Sequence, residues 1–211
     1  MGLVKAFCAV SLDGFIAAPG DDISWLEADR PEWAPMASGP WSHRPEDAVT
    51  FADFYAGVGA MLMGRRTFDV VHDMHQWFYG DTPVLVATGR PLPHTRPTVT
   101  SASAPIANLV AEAQELAGDK DVYLDGGTII RQALDAGLVD QMIVTVHPTI
   151  LGAGHPLFAG AEQRHAVTIS DVRRFGDGMV QLTMTPAREP SDTSPLPADG
   201  GPADESAFGH A

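Results

Sequence analysis

DVYLDGGTIIRQALDAG, residues 121–137, changes its hydrophobic period at one point. The run through Val122, Tyr123 and Leu124 is short, β-branched and aromatic, and it ends at the pair Gly126-Gly127. From Thr128 onward Ile129, Ile130, Ala133 and Leu134 recur at helical spacing, so a strand passes through a side-chain-free turn directly into a helix. Such a junction aims unpaired N–H groups and the positive end of a helix dipole beyond the strand end, where an anion can sit. The two glycines either let a phosphate approach the backbone closely or serve only the tight turn, and this stretch alone leaves both readings open. It is neither the three-glycine dinucleotide fingerprint nor a P-loop, since no Gly-Lys-Ser or Gly-Lys-Thr follows.

Two more junctions repeat the arrangement. AMLMGRRTFDVV, residues 60–71, runs a buried strand into Gly64, Arg65, Arg66 and Thr67 and then a helix. Two cations at a helix start oppose the dipole, and an anionic partner would repair that. VLVATGRP, residues 84–91, again ends a strand in a hydroxyl, a glycine and an arginine: Thr88, Gly89 and Arg90. Three strand ends with backbone donors, hydroxyls and three of the thirteen basic residues suit a ligand with several phosphates. The simpler reading pairs each arginine with one of the many surface acids.

Outward from these junctions the pattern predicts strands at 3–10, 60–64, 83–88, 98–101, 121–126, 140–148, 166–175 and 178–186, and helices at 46–57, 66–75, 105–117 and 127–137. Helices separate the early strands, as parallel crossovers require, whereas the last three strands follow one another without a helix and are expected to be antiparallel. The expectation is one α/β domain over 1–188 with a mixed, mostly parallel central sheet flanked by helices. Segment 18–45 interrupts the rhythm with five prolines and with Trp25, Trp33 and Trp41, and reads either as a lid over a planar substrate or as a loop packed on its own domain or a partner. Residues 189–211 hold five acids, no Lys or Arg, and one aromatic residue, Phe208, and are expected to form a disordered acidic tail.

Of the 211 residues, 45% are hydrophobic, which suits one substantial core, and the formal charge is −14. A field of that sign repels a phosphate backbone, which argues against nucleic acid as a partner. No apolar run reaches the roughly 18 residues of a membrane helix. A single cysteine, Cys8, and an N-terminus without the pattern of a signal peptide point to the cytoplasm. His72 and His75 share a helix face, but no third ligand with supporting spacing follows, so no metal site is expected.

SLDGFIA at 11–17, MLMGRRTFD at 61–69, VLVATGRP at 84–91, LDGGTIIRQAL at 124–134 and HPTILGAGHPLF at 147–158 stand in the order of the dihydrofolate reductase superfamily. Over roughly residues 3–186 the chain most resembles small bacterial proteins related to the C-terminal reductase domain of the riboflavin-biosynthesis deaminase-reductase. The resemblance implies a dihydrofolate-reductase-like fold, NADPH lying across the strand ends, and hydride transfer to a planar heterocycle or ribosylaminopyrimidine-type substrate. It places Ala9 and Ile16 beside the nicotinamide, with Asp13 and Gly14 in the covering loop. Gly64, Arg65, Arg66 and Thr67 match the segment holding the pyrophosphate and adenosine phosphate. Thr88, Gly89 and Arg90 match the segment around the adenine ribose, where Arg90 would favour a 2′-phosphate. Gly126, Gly127, Thr128 and Ile129 match the glycine pair under the pyrophosphate and nicotinamide. A homodimer is usual among similar proteins and would use the C-terminal strands or the tryptophan-rich loop.

Two acids are candidates for protonating a small-molecule substrate. Asp47, with Phe51 one helical turn later, resembles the acid on the first helix of true dihydrofolate reductases; the plainer reading makes Pro45, Glu46 and Asp47 an ordinary helix start. Asp13 is the second, or else a turn-forming Asp-Gly. Trp25, Phe51 and Phe54 are candidate walls for a flat ring, or core. Two other functions remain beside the leading one: a pterin reductase relying on Asp47, and a protein that binds NADPH without turnover.

Overall fold

The computed structural model describes residues 1–26, 47–74, 77–93, 96–175 and 178–187. The predicted tail at 189–211, and Trp33, Trp41 and most of the loop around them, lie outside the described residues. Continuous apolar runs such as Ala60–Met63 and Val84–Val86 lack a polar face, so their strands need cover on both sides of a sheet. The fold supplies it. The strands are β1 (Val4–Ser11), β2 (Phe15–Ala17), β3 (Val58–Gly64), β4 (Val84–Ala87), β5 (Val99–Ala102), β6 (Asp121–Asp125), β7 (Gln141–His147), β8 (His155–Pro156), β9 (Val167–Arg174) and β10 (Val180–Pro186). The helices are α1 (Phe51–Tyr55), α2 (Arg65–Asp73), α3 (Ile106–Ala117) and α4 (Gly127–Asp135).

Eight strands form one sheet in the order β5-β4-β3-β6-β1-β7-β10-β9. The first six pair parallel, and β7–β10 and β10–β9 pair antiparallel. The mixed sheet with antiparallel C-terminal strands is as the sequence led one to expect. Alternation along each strand divides the core into two layers. Ala60, Leu62, Leu85, Val122 and Leu124 meet α3 and α4 on one face, while Met61, Met63, Val84, Val86 and Tyr123 meet Phe54 of α1 and Phe68 and Val71 of α2 on the other.

Two features differ from expectation. The helix predicted from residue 46 begins at Phe51, because Thr50 and Asp53 form a capping box: Thr50 Oγ1 accepts from Asp53 N, and the Asp53 carboxylate accepts from Thr50 N. The segment ahead of the cap is taken by β10 instead, where the buried Gln181 accepts from Val49 N at 2.9 Å and donates to Val49 O at 3.1 Å. The second difference is a small ribbon of β2 paired antiparallel with β8. Strands of three and two residues are too short to show a period in sequence.

Candidate functional site

β3 and β6 are neighbours in the sheet, yet the helix after each turns to a different face: α2 packs on the Met61 side and α4 on the Leu62 side. Adjacent strands whose helices part in this way open a crevice beyond their carboxyl ends, the ordinary ligand position in parallel α/β sheets. A cavity of about 610 Å³ occupies it. Its walls are Phe7, Cys8 and Ala9 of β1, Tyr123 and Asp125 of β6, the first turns of α2 and α4, and the β2–β8 ribbon.

The two helix starts are built against each other. Gly64 and Gly126 are the N-caps, and neither offers a side chain to the first-turn N–H groups. Gly126 has a φ of +93°, and a Cβ there would stand 2.2 Å from Thr67 Oγ1; a Cβ on Gly127 would stand 2.6 Å from Pro156 O. The glycine pair is thus required by the close approach of Thr67 and of the ribbon, more than by room for a phosphate. Arg131 fixes the ribbon to α4: its Nη1 donates to Pro156 O at 2.6 Å and to Leu157 O at 3.2 Å.

The predicted residues Ala9, Ile16, Gly64, Arg65, Arg66, Thr67, Gly126, Gly127, Thr128 and Ile129 all line this cavity. Thr88, Gly89 and Arg90 do not. They continue from Ala87, which does, into a turn where Thr88 Oγ1 accepts from Arg90 N at 3.0 Å. Arg65 links that turn to α2, its Nη1 donating to Pro91 O at 2.9 Å while its Nε holds Asp69 at 2.7 Å. Arg66 Nε pairs with Asp21 at 2.8 Å.

The proposed substrate-side residues are more scattered. Phe54 is buried in the layer beneath the sheet, and Phe51 lies edge-on to Phe7 and to Tyr123, one shell behind the lining. Trp25 packs edge-on against His147, while its neighbours Ile23 and Leu26 reach the cavity. Asp47 is exposed, outside the first turn of α1, with its carbonyl accepting from Arg173 Nη1. Asp13 fastens two loops: its carboxylate accepts from Ser11 Oγ at 2.6 Å, Leu151 N at 3.1 Å and Gly152 N at 2.7 Å. Those bonds, the Ser11 one foremost, hold its pKa down at about 2, so it carries no proton to give at neutral pH.

Asp125 lines the cavity, as does Asp21, and nothing local in the sequence singles Asp125 out. It ends β6 immediately before Gly126, and burial pushes its carboxyl up to about 6, although the Gly126 N–H and the Tyr79 and Tyr123 hydroxyls pull the other way. Tyr79 Oη lies 3.5 Å from Asp125 Oδ2. The available signal was only an acid closing the buried run Val122–Leu124, just before the glycine pair. Nearby Cys8 is pushed up to about 12 by burial and by Asp125, so its thiol stays protonated and is a poor nucleophile. His75 lies outside the described residues, and among those described no group of three or more His, Cys, Asp or Glu is placed to hold a metal. No described helix is long and apolar enough to cross a membrane.

Comparison with known proteins places this geometry. The sequence model of the RibD C-terminal domain matches residues 3–181. The protein YwjB of Bacillus subtilis is 27% identical over 177 residues, covering 83% of this chain and 93% of that protein. A crystal structure of a Shewanella sp. PV-4 protein assigned to riboflavin biosynthesis superposes with a TM-score of 0.70 at 26% identity, covering 88% of this chain and 99% of that one. The deaminase/5-amino-6-(5-phosphoribosylamino)uracil reductase of Thermotoga maritima shares the fold, with a TM-score of 0.57 at 18% identity over 88% of this chain and 57% of that one.

Proposed function

The chain belongs to the RibD C-terminal domain family, a reductase-like family, and from that premise we propose that it is an NADPH-dependent reductase of a planar, ribosylaminopyrimidine-type substrate. The observation that carries this reading is the meeting of two uncapped helix N-termini, with Arg65 and Arg66, on one cavity beyond the parallel strands. The residues present fit such a cofactor. Backbone donors of α2 and α4 and the two guanidiniums would hold its phosphates, and Ala9, Ile16 and Ile129 would supply apolar surface for a nicotinamide ring. Bound NADPH supplies the hydride. The protein's part is to hold the two flat rings face to face, keep water out with the β2–β8 ribbon, and deliver a proton. Asp125, whose pKa of about 6 leaves part of it protonated near neutral pH, is the group assigned to that delivery. Arg90, just past the end of β4, is assigned to a 2′-phosphate. The protein is proposed to act as a homodimer through the edge carrying β9 and β10.

Titration with NADPH and NADH, followed by reduced-nicotinamide fluorescence, tests the site: saturable binding with a preference for NADPH is expected, and no binding of either would overturn the reading. Oxidation of NADPH on adding 5-amino-6-(5-phosphoribosylamino)uracil tests the reaction. Binding without oxidation by this substrate or by pterins would leave a nucleotide-binding protein without turnover.

A further inference from the structure

Asp21 reaches across the mouth of the cavity. β2 runs into a tight turn over Pro19–Asp21, closed by Ala18 N donating to Asp22 O at 2.8 Å. Asp21 at its tip has a φ of +64° and is the one non-glycine residue with positive φ among those described. From there its carboxylate meets Arg66 Nε at 2.8 Å, on a different element. His155 Nε2, on the ribbon strand that pairs with β2, lies 3.1 Å from the same oxygen but off the line of a hydrogen bond.

Helix α2 opens with two arginines, has no acid in its first turn and no side-chain cap. Asp21 therefore supplies from outside the anion that this helix start lacks. A ligand phosphate would be drawn to the same place by the same guanidinium and the same dipole, and with Nε–H held by Asp21 it can grip the guanidinium along its Nε–Nη edge only by displacing the carboxylate. We propose that Asp21 is a built-in competitor for Arg66, so that this corner of the site yields only to a ligand carrying a phosphate. A phosphate displaces the carboxylate, and Asp21 is left with His155 on its own ribbon; a ligand without one leaves the turn latched to α2. The proposal rests on the nucleotide reading above, and names Asp21 as the residue setting the charge requirement.

The test is a double-mutant cycle on NADPH affinity, read by nicotinamide fluorescence in the full chain. Asn is tolerated in the left-handed region as well as Asp, so Asp21→Asn keeps the turn. Arg66 is 65% exposed, so the pair is weak, and Asp21→Asn is expected to tighten NADPH about three- to fivefold. In an Arg66→Ala background the same change is expected to leave the affinity unmoved. Unchanged or weaker binding by Asp21→Asn, or a tightening that persists without Arg66, overturns the latch. Wild-type protein that binds no NADPH overturns the nucleotide reading, and the latch with it.

Discussion

Asp125 shows how one residue's chemistry depends on neighbours remote in sequence. An acid between Leu124 and Gly126 reads locally as the end of a strand. Its behaviour comes from the loss of water at the cavity floor, which raises its pKa from 3.8 to about 6 against the opposing pull of the Gly126 N–H and the Tyr79 and Tyr123 hydroxyls. The sign for stability follows. Between about pH 4 and pH 6 the folded state keeps a proton that the unfolded chain has released, so stability falls as pH rises through that window. Asp125→Asn cannot ionise; thermal melts are expected to show it more stable than wild type near pH 7.5, with the gap closing toward pH 4. At roughly 1.4 kcal/mol per pKa unit the gain is a few kcal/mol at most. The same substitution is expected to lower turnover and to remove an ionisation near pH 6 from the rate profile, whereas an unaltered profile would assign proton delivery to water. The cavity-lining residues at the starts of α2 and α4 were legible because they belong to local strand–glycine–helix patterns; the chemistry of Asp125 was not, because burial is assembled from the whole sheet.

At the scale of elements, the glycines that cap α2 and α4 bear different loads. Gly64 has an ordinary φ of −72°, and its added Cβ would meet only Ile129 Cγ1, at 3.6 Å. Gly126 combines a φ of +93° with Thr67 Oγ1 at 2.2 Å. Denaturant titration is therefore expected to show Gly64→Ala costing less than about 1 kcal/mol and Gly126→Ala clearly more, with loss of nucleotide binding in the second, since Thr67 and the start of α2 must move. Equal costs would show that the two helix starts do not depend on this contact. Helix α1 makes the converse point. A five-residue helix has little intrinsic stability, and its start was misread because Pro45-Glu46-Asp47 resembles a helix N-terminus. What decides the boundary is the Thr50–Asp53 box together with Gln181, more than a hundred residues away. Thr50→Ala is expected to cost about 1 kcal/mol in denaturant titration while leaving NADPH affinity unchanged.

On the scale of the whole molecule, the proposed homodimer rests on the edge of the sheet. β9 is an edge strand, and its Val167, Ile169 and Val172 are 44%, 50% and 52% exposed. Simple alternation would put Val172 on the opposite face from the other two. A register shift beside Met184 corrects this: Val167 pairs with Pro186, Ile169 with Met184 and Val172 with Leu182, so all three lie on one face. That face continues into a groove of about 360 Å³ between α4, β7 and β10, lined by Leu134, Met142, Phe158 and Met184. An apolar stripe beside an apolar groove, on an unpaired strand, exposes surface that a soluble monomer rarely leaves bare. Each chain also carries a formal charge of −14, so two copies repel at long range while the patch attracts at contact. Sedimentation equilibrium is accordingly expected to show a homodimer whose association strengthens as salt screens the repulsion. Ile169→Glu, which puts a charge into the stripe without touching the cavity, is expected to give a monomer that still binds NADPH. A wild-type monomer at all salt concentrations, or a dimer indifferent to Ile169→Glu, would show that this face is not where copies meet.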